Sequence, residues 1–223
     1  MILFGAFLFY GSFTVIRFDF SPTQILLWDG LLSFLFFIQH SGMIRASFHV
    51  PRWLGIPDNY RAAVYAIISG AVLAGVVLLW QTSPTVLFEI RGATQLLLRT
   101  FFVLAMVGMM WCFWALRPFD LFGHIPITRG LQGKESRPPQ FAVRGPYVWV
   151  RHPIYFFTLV LIWMSPGETL DRWLFNVLWS GWIVVGAYLE ERDLVAKFGE
   201  PFRRYQKVVP ILLPWKGPAG RKM

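Results

Sequence analysis

Cysteine and charge are both scarce in this chain. The single cysteine among 223 residues, Cys112, excludes an internal disulfide and any metal site built from several cysteines, and packing is its default role inside an apolar run. Charged residues make up 15% of the sequence, whereas hydrophobic residues make up 56% and aromatic residues 18%. A soluble domain carries about 25% charged residues. The composition therefore indicates an integral membrane protein.

Long polar stretches are missing as well. The longest, residues 117–151, is too short and too rich in proline and glycine to bury a core of its own, so no soluble domain is expected. Within it, Phe119–Gly123 is interpreted as an interfacial turn and Gln132–Ser136 as an exposed tip. The sequence predicts one integral membrane domain over 1–223, with N-terminal helices over 1–116, a cytoplasmic loop over 117–150, and a hairpin with an interfacial helix over 151–215.

Six apolar runs carry the predicted membrane helices: Ile2–Ile16, Ile25–Gln39, Ala62–Trp80, Leu96–Leu116, Pro153–Ser165 and Trp173–Leu189. Two of them approach the ~20 residues that a helix needs to cross hydrocarbon. The fifth run is so short that it either recruits Tyr147–Val150 or crosses only part of the bilayer. Asp29 is costly in hydrocarbon unless paired, so we expect it to mark a helix start at the outer interface.

The pattern becomes amphipathic after Leu189. Apolar residues recur at helical spacing on one face, namely Leu194, Phe198, Phe202, Tyr205 and Val209. Gly199 fits a helix C-terminal cap and Pro201 the start of a following helix, which predicts a break and then a short helix lying along the interface. The predicted fold class is thus all-α: a polytopic membrane helical bundle of about five to six transmembrane helices with a C-terminal interfacial amphipathic helix.

Basic residues predict the orientation. The six-segment arrangement places 17 of the 21 lysines and arginines on one side of the membrane, and this bias puts both termini in the cytoplasm. The net charge of +9 then reflects attraction to anionic headgroups of membrane lipids, with no need for a nucleic acid partner. The first run is interpreted as a retained helix and not as a signal peptide. With no transit peptide and with compact loops, the sequence favours a prokaryotic inner membrane.

The last two apolar runs are bracketed by charge of both signs. Arg151-His152-Pro153-Ile154-Tyr155 opens this hairpin, and Glu190-Glu191-Arg192-Asp193 follows directly where it closes. Near lipid, both groups must be desolvated or partnered. This arrangement predicts a binding site for a zwitterionic ligand.

These residues carry a family resemblance. Arg-His-Pro-x-Tyr at Arg151–Tyr155, Glu190 and Glu191 followed by Leu194, Phe198-Gly199, and the ending Val209–Pro214 together resemble the C-terminal half of the isoprenylcysteine carboxyl methyltransferase and phospholipid methyltransferase superfamily. Gln39-His40-Ser41 and Phe119–Gly123 are similar to its methanethiol S-methyltransferase and NnrU-like branch. The resemblance implies S-adenosylmethionine as methyl donor, bound between the C-terminal helices at the cytoplasmic side.

By resemblance, the amino-acid end of the cofactor is assigned to Arg151, His152 and Tyr155, with Gly145 and Pro146 shaping a backbone wall that lets the ligand approach closely. Glu190 and Glu191 are adjacent on a helix and point about 100° apart. One of them should face the ribose hydroxyls or the ammonium of the cofactor, while the other holds a neighbour such as Arg203 or Arg204. Which does which stays open.

The catalytic candidates are His40, Glu190 and Arg203, and the cofactor candidates are those above together with Glu191 and Tyr205. His40 is a plausible base for a thiol, or alternatively a histidine satisfied by a backbone carbonyl or headgroup water. Tyr205 and Phe202 fit interface packing as well as they fit cofactor contact. The four histidines have no recognisable metal or haem spacing, so no metal is expected.

Two departures from the family pattern bear on the acceptor. Phe157 replaces a family glycine and is expected to narrow the space beside the cofactor, and Phe202 replaces a tyrosine and removes a hydroxyl. The favoured function is S-methylation of a small or lipophilic thiol. One alternative moves the methyl group to a phospholipid amine or a prenylcysteine carboxylate; another is a non-enzymatic NnrU-like membrane protein in nitrogen-oxide metabolism.

Overall fold

The computed structural model describes residues 2–44, 57, 60–116, 127–128, 131–132 and 141–218. Its helices are α1 (Ile2–Tyr10), α2 (Pro22–Ile44), α3 (Arg61–Leu79), α4 (Ala93–Ala115), a 3₁₀ helix (Gly145–Val148), α5 (Pro153–Trp163), α6 (Leu170–Phe198) and α7 (Glu200–Val208). The expected all-α membrane bundle is confirmed. Among the described helices, α2, α3 and α4 are long and apolar enough to cross a membrane, and α5 is a shorter apolar helix.

All six apolar runs form helices, although the helix boundaries differ from the predicted ones. α2 has 23 residues and begins at a capping box, in which the Ser21 amide donates to Gln24 Oε1 at 2.8 Å. α1 ends at Tyr10, before Gly11 at φ +92°. α5 has 11 residues, because the chain breaks between the 3₁₀ helix and Pro153, so it crosses only part of a bilayer.

The helices pack around one aromatic-rich core. α2 lies between α3 and α6, α5 lies between α4 and α6, and α1 contacts α3 and α5. The core contains Phe7, Phe37, Trp80, Phe175 and Trp179, each 5% exposed or less. α5 and α6 form an antiparallel hairpin, so the start of α5 and the end of α6 lie at the same end of the bundle. We call this the site end.

The opposite end, which we call the turn end, is closed by a two-stranded ribbon that the sequence did not predict. β1 (Val86–Glu89) pairs antiparallel with β2 (Gly167–Thr169). Asp171, in the first turn of α6, links this helix to the segment between α3 and β1. Its carboxylate accepts hydrogen bonds from Trp80 Nε1 at 3.0 Å and from the Ser83 amide at 2.8 Å. The guanidinium of Arg172 binds the Phe7 carbonyl at 2.9 Å, close to where α1 ends.

Asp29 does not mark the start of α2, and that expectation was wrong. It lies seven residues inside the helix, is fully buried, and accepts the Gln81 backbone N–H at Oδ1 over 3.0 Å. The amide that follows α3 thus satisfies Oδ1, whereas Oδ2 is buried without a hydrogen-bond partner among the described residues.

The predicted C-terminal helix is present. Gly199 adopts φ +61° and caps α6, and α7 begins at the next residue with Pro201 in its first turn. Phe202, Tyr205 and Val209 form a small buried cluster against which Leu194 and Phe198 pack. The predicted apolar face is therefore the face that α7 buries, while its other face carries exposed charge. The predicted turn Phe119–Gly123 and most of the loop 117–150 lie outside the described residues.

Candidate functional site

The predicted site residues meet where the α5–α6 hairpin opens. Arg151 and His152 stand immediately before Pro153, and α6 continues past the apolar run that ends at Leu189 to carry Glu190 and Glu191. The chain after α7 passes beneath them. The amides of Arg151 and His152 donate to the carbonyls of Pro210 at 2.9 Å and Ile211 at 3.1 Å. Three segments distant in sequence are thus fixed together.

Glu191 lies at the centre of this cluster. Its Oε1 accepts from Arg151 Nε at 2.8 Å and contacts His152 Nε2 at 2.9 Å, and its Oε2 accepts from Gln206 Nε2 at 2.5 Å. The residue is 6% exposed. Arg151 also donates to the backbone carbonyls of Gln206 and Val209. Glu191 is consequently the carboxylate that holds protein neighbours in place.

The electrostatics of the cluster favour charged side chains. Burial disfavours ionisation of Glu191, yet hydrogen bonds from His152, Arg151 and Gln206 outweigh it and lower the pKa of Glu191 to about 2. Burial likewise works against a charged His152, but hydrogen bonds with Glu190 and Glu191 raise its pKa above the usual 6.5. Arg151 and Glu191 therefore form a buried, hydrogen-bonded ion pair, and the raised pKa of His152 favours its protonated form beside them.

Glu190 differs from its neighbour because it stays partly open. Its Oε2 lies 3.4 Å from His152 Nδ1, and 40% of its side chain is exposed, against 8% for Glu191. It also interacts with Tyr155, whose ring stacks on His152 with centroids 5.3 Å apart. The two glutamates therefore differ in their surroundings: Glu191 binds neighbouring side chains, and Glu190 keeps part of its side chain exposed.

His40 is placed toward this cluster from the far end of α2. α2 packs against α6, and an electrostatic interaction links His40 to Glu190. The imidazole lies 5.1 Å from the Phe36 ring, and Phe36 in turn stacks on Trp179 of α6 at 5.0 Å. The Tyr65 hydroxyl of α3 lies 3.0 Å from His40 Nε2 and 3.2 Å from Nδ1. His40 thus has a tyrosine partner and an aromatic surround.

Four other predicted residues have structural contacts of their own. Gly145 has φ +56°, and a Cβ there would lie 3.0 Å from the Ala115 Cβ, so the close approach is to α4. Pro146 is buried in the 3₁₀ helix. The Tyr205 hydroxyl donates to the Tyr147 carbonyl at 2.6 Å. Arg203 is exposed on α7, and the glutamate contact expected of it is made by Arg151.

The two departures from the family pattern are explained by packing. The ring of Phe157 fills the notch at Gly108 of α4, where an added Cβ would lie 2.3 Å from ring carbons. It therefore occupies the α4–α5 interface, whereas the sequence suggested the space beside the cofactor. Phe202 is 3% exposed and makes an edge contact with Phe141 at 5.9 Å.

Three contributors to the site were missed at the level of sequence. In the sequence, Tyr65 is one of many aromatic residues in apolar runs, and its spacing from other residues does not distinguish it from them. Gln206 lies on α7 beside residues assigned to the interface. The carbonyls of Pro210 and Ile211 belong to the Val-Pro-x-Leu-x-Pro motif, so the signal was present, but backbone acceptors are invisible in a pattern of side chains.

A second concavity lies at the turn end. A cavity of about 390 Å³ is bordered by the end of α1, the ribbon and the first turns of α4 and α6. Its polar groups include Arg99, which stacks on Phe9, and Arg172, which binds carbonyls of α1. No cluster of potential metal ligands occurs among the described residues.

Known proteins resemble this chain over most of its length. The chain is 32% identical over 201 residues to methanethiol S-methyltransferase 1 of Bradyrhizobium diazoefficiens, covering 89% of this chain and 70% of the relative. It is 34% identical over 199 residues to methanethiol S-methyltransferase of Pseudomonas sp. strain GM41(2012), covering 86% and 74%. With the enzyme of the same name from Mycobacterium tuberculosis the identity is 32% over 184 residues, covering 81% and 75%. The profile of a family of unknown function, DUF6332, matches residues 63–139. No solved structure matches.

Proposed function

The chain belongs to the methanethiol S-methyltransferase family, and we propose that it transfers a methyl group from S-adenosylmethionine to the sulfur of a small thiol. It is a membrane methyltransferase. The observation that carries the proposal is the convergence of His152 with Glu190 and Glu191 at the open end of the α5–α6 hairpin, against which the helix of His40 packs.

The protein is an integral membrane protein, and we place its site end in the cytoplasm. The basic residues around the site, among them Arg151, Arg203, Arg204 and Lys207, support this orientation, because cytoplasmic segments next to membrane helices are rich in lysine and arginine. The cofactor is a polar cytoplasmic metabolite and would reach the site from the same side. A prokaryotic inner membrane with both termini in the cytoplasm fits this arrangement.

The donor set at the site end fits S-adenosylmethionine. Glu190 is partly exposed and, being ionised, can accept hydrogen bonds from the ammonium or the ribose hydroxyls of the cofactor. Its carboxylate is oriented by His152, which is held by Glu191, and Arg151 pairs with the same Glu191 oxygen. When bound, the cofactor supplies a methyl group on a positively charged sulfonium. Glu190 therefore contacts the ligand directly, while Arg151 and Glu191 position the residues that do.

His40 is assigned as the base that takes the thiol proton. His40 would take the proton of the S–H bond onto a ring nitrogen, which leaves the sulfur with the electron pair that accepts the methyl group; the cofactor, when bound, would supply that methyl group and keep the electrons of the bond it loses. Because opposite charges cancel in this step, the site need not stabilise new charge, and an apolar surround that excludes water suits the reaction. Phe36 and Trp179, both below 8% exposed, provide such a surround beside His40.

Two measurements on the detergent-purified protein test the proposal. Calorimetric titration with S-adenosylhomocysteine should show binding, and transfer of a labelled methyl group should favour methanethiol over phosphatidylethanolamine and over a prenylcysteine. Lack of any S-adenosylhomocysteine binding would refute the enzymatic function. If the protein binds S-adenosylhomocysteine but methylates only the lipid amine or the prenylcysteine, the cofactor assignment stands and the thiol acceptor is refuted.

A further inference from the structure

Tyr65 has a contact that its position in sequence does not suggest. It lies one turn into α3, and its hydroxyl faces the imidazole of His40 within hydrogen-bond distance of both ring nitrogens, 3.0 Å from Nε2 and 3.2 Å from Nδ1. The two ring centroids are 5.3 Å apart. The Tyr65 hydroxyl is therefore in contact with the part of the His40 ring that carries both nitrogens.

The tyrosine is itself held in place. Ser69, one turn further along α3, hydrogen-bonds to Tyr65, and Gln39 Nε2 donates to Ser69 Oγ at 3.1 Å. Gln39 and His40 are neighbours on α2, so two consecutive residues of the Gln39-His40-Ser41 motif are tied to the same face of α3. Because the Tyr65 hydroxyl is already held by these contacts, it can orient the His40 imidazole. Neither side chain then has to be ordered when the substrate binds.

Two further helices contribute polar groups near this pair. Glu190 of α6 interacts electrostatically with His40 and with Tyr65, and Tyr155 of α5 interacts with Tyr65. Tyr65 therefore connects His40 to the residues of the site end.

We propose that Tyr65 is a positioning residue of the methyl transfer, which holds His40 in the orientation that removes the acceptor proton. The proposal rests on the function proposed above, since it requires a thiol acceptor. It extends the site to α3, so that four helices of the bundle contribute: α2 with His40, α3 with Tyr65, α5 with Tyr155 and α6 with Glu190.

The test is the Tyr65→Phe variant, which keeps the ring and removes only the hydroxyl. With methanethiol as acceptor, we expect kcat at pH 7 to fall about tenfold to hundredfold, in the range of lost acid–base assistance. KM and the Kd for S-adenosylhomocysteine should stay within about twofold, because the hydroxyl binds neither substrate in this scheme. Tyr188→Phe, at a 61% exposed residue of α6, is the matched control and should retain wild-type activity.

A pH profile separates positioning from a merely structural role. The deficit of Tyr65→Phe should shrink above about pH 9, where thiols ionise without a base, and His40→Gln should show the same recovery. The double variant should be no slower than His40→Gln alone, since both changes remove one function.

Three results would overturn the role of Tyr65: wild-type kcat in Tyr65→Phe, a deficit of equal size at every pH, or a double variant slowed by the product of the two single effects. A wild-type protein that binds S-adenosylhomocysteine yet methylates no thiol would overturn the function together with this role. If the wild type methylates a thiol, the proposed function stands, and the results for Tyr65→Phe then test only the role of Tyr65.

Discussion

His152 and Glu191 are joined across the open end of the α5–α6 hairpin, with Nε2 and Oε1 2.9 Å apart and both side chains less than 10% exposed. A buried ionic pair is costly to desolvate, and removing one partner strands the other. The pair therefore makes the geometry of the site and the stability of the hairpin depend on the same two residues.

Glu191→Gln should destabilise the protein markedly, because it leaves Arg151 without its carboxylate partner and His152 with only the more distant Glu190. Breaking a buried pair costs about 3 kcal/mol or more, which for a chain of this size corresponds to a fall in Tm of about 6–12 °C. Thermal melting in detergent measures it. The control is Glu200→Gln, whose exposed pair with Arg204 at 3.6 Å should contribute less than about 1 kcal/mol. Equal Tm values for the two variants would contradict the role of Glu191.

The stability of the wild type should depend on pH in a defined window. Because the pKa of Glu191 is lowered from 4.5 to about 2, its contribution is complete above pH 4.5 and is lost as the pH falls toward 2. Because the pKa of His152 is raised above 6.5, its contribution is complete below pH 6.5 and is lost as the pH rises through the raised value. The contribution of this pair to Tm should thus be largest between pH 4.5 and 6.5.

His152→Gln isolates the alkaline side of that window. The variant lacks the titrating imidazole, so the decline of Tm above pH 6.5 should flatten, whereas His40→Gln should keep the wild-type decline. Melting curves at intervals from pH 5 to pH 9 measure both. If Tm of His152→Gln declines above pH 6.5 with the wild-type slope, the decline is caused by groups other than His152.

Glu190→Gln should weaken cofactor binding with little effect on stability. It removes the charge of the partly exposed carboxylate but keeps a hydrogen-bonding side chain of the same size. Loss of one charge-assisted hydrogen bond corresponds to about a tenfold to hundredfold rise in Kd for S-adenosylhomocysteine. Asp193→Asn, an exposed acid on the same helix, is the matched control and should bind as the wild type does. Unchanged affinity in Glu190→Gln would remove Glu190 from the ligand site.

The contact between Gly108 and Phe157 predicts a size-dependent pair of variants. Gly108→Ala introduces a Cβ 2.3 Å from the Phe157 ring and should destabilise the α4–α5 interface by about 1–3 kcal/mol. Gly70→Ala, where a Cβ meets nothing within 4 Å, should be neutral or stabilising. Adding Phe157→Leu to Gly108→Ala should recover part of the lost Tm. If Phe157→Leu does not recover any of the lost Tm, the destabilisation by Gly108→Ala is not caused by a clash with Phe157.

Much of the fold could be predicted from the sequence because helix formation in membranes follows directly from apolar length. The six runs became helices, and the break at Gly199 and the buried face of α7 fell at the predicted residues. The ribbon of β1 and β2 could not be predicted, since its four- and three-residue strands are stabilised by each other and by Asp171, which are long-range contacts. Asp29 was misjudged for the same reason: its partner, the Gln81 amide, is 52 residues away.

The site was predictable in its residue types more than in their roles. Arg151, His152, Glu190 and Glu191 do converge. The division between the two glutamates depends on which side of α6 faces α7, and this is set by packing that the sequence leaves undetermined. Tyr65 could not be singled out, because its importance comes only from its distance to His40.

The backbone bonds from Arg151 and His152 to the carbonyls of Pro210 and Ile211 couple occupancy of the site to attachment of the C-terminal segment. A molecule that binds at Glu190 only when these backbone hydrogen bonds are formed stabilises the attached state of the C-terminal segment. Binding should therefore make detachment of residues 209–218 less frequent. Proteolysis of that segment then becomes a reporter of binding: limited digestion should slow as S-adenosylhomocysteine is added, with half-protection near its Kd.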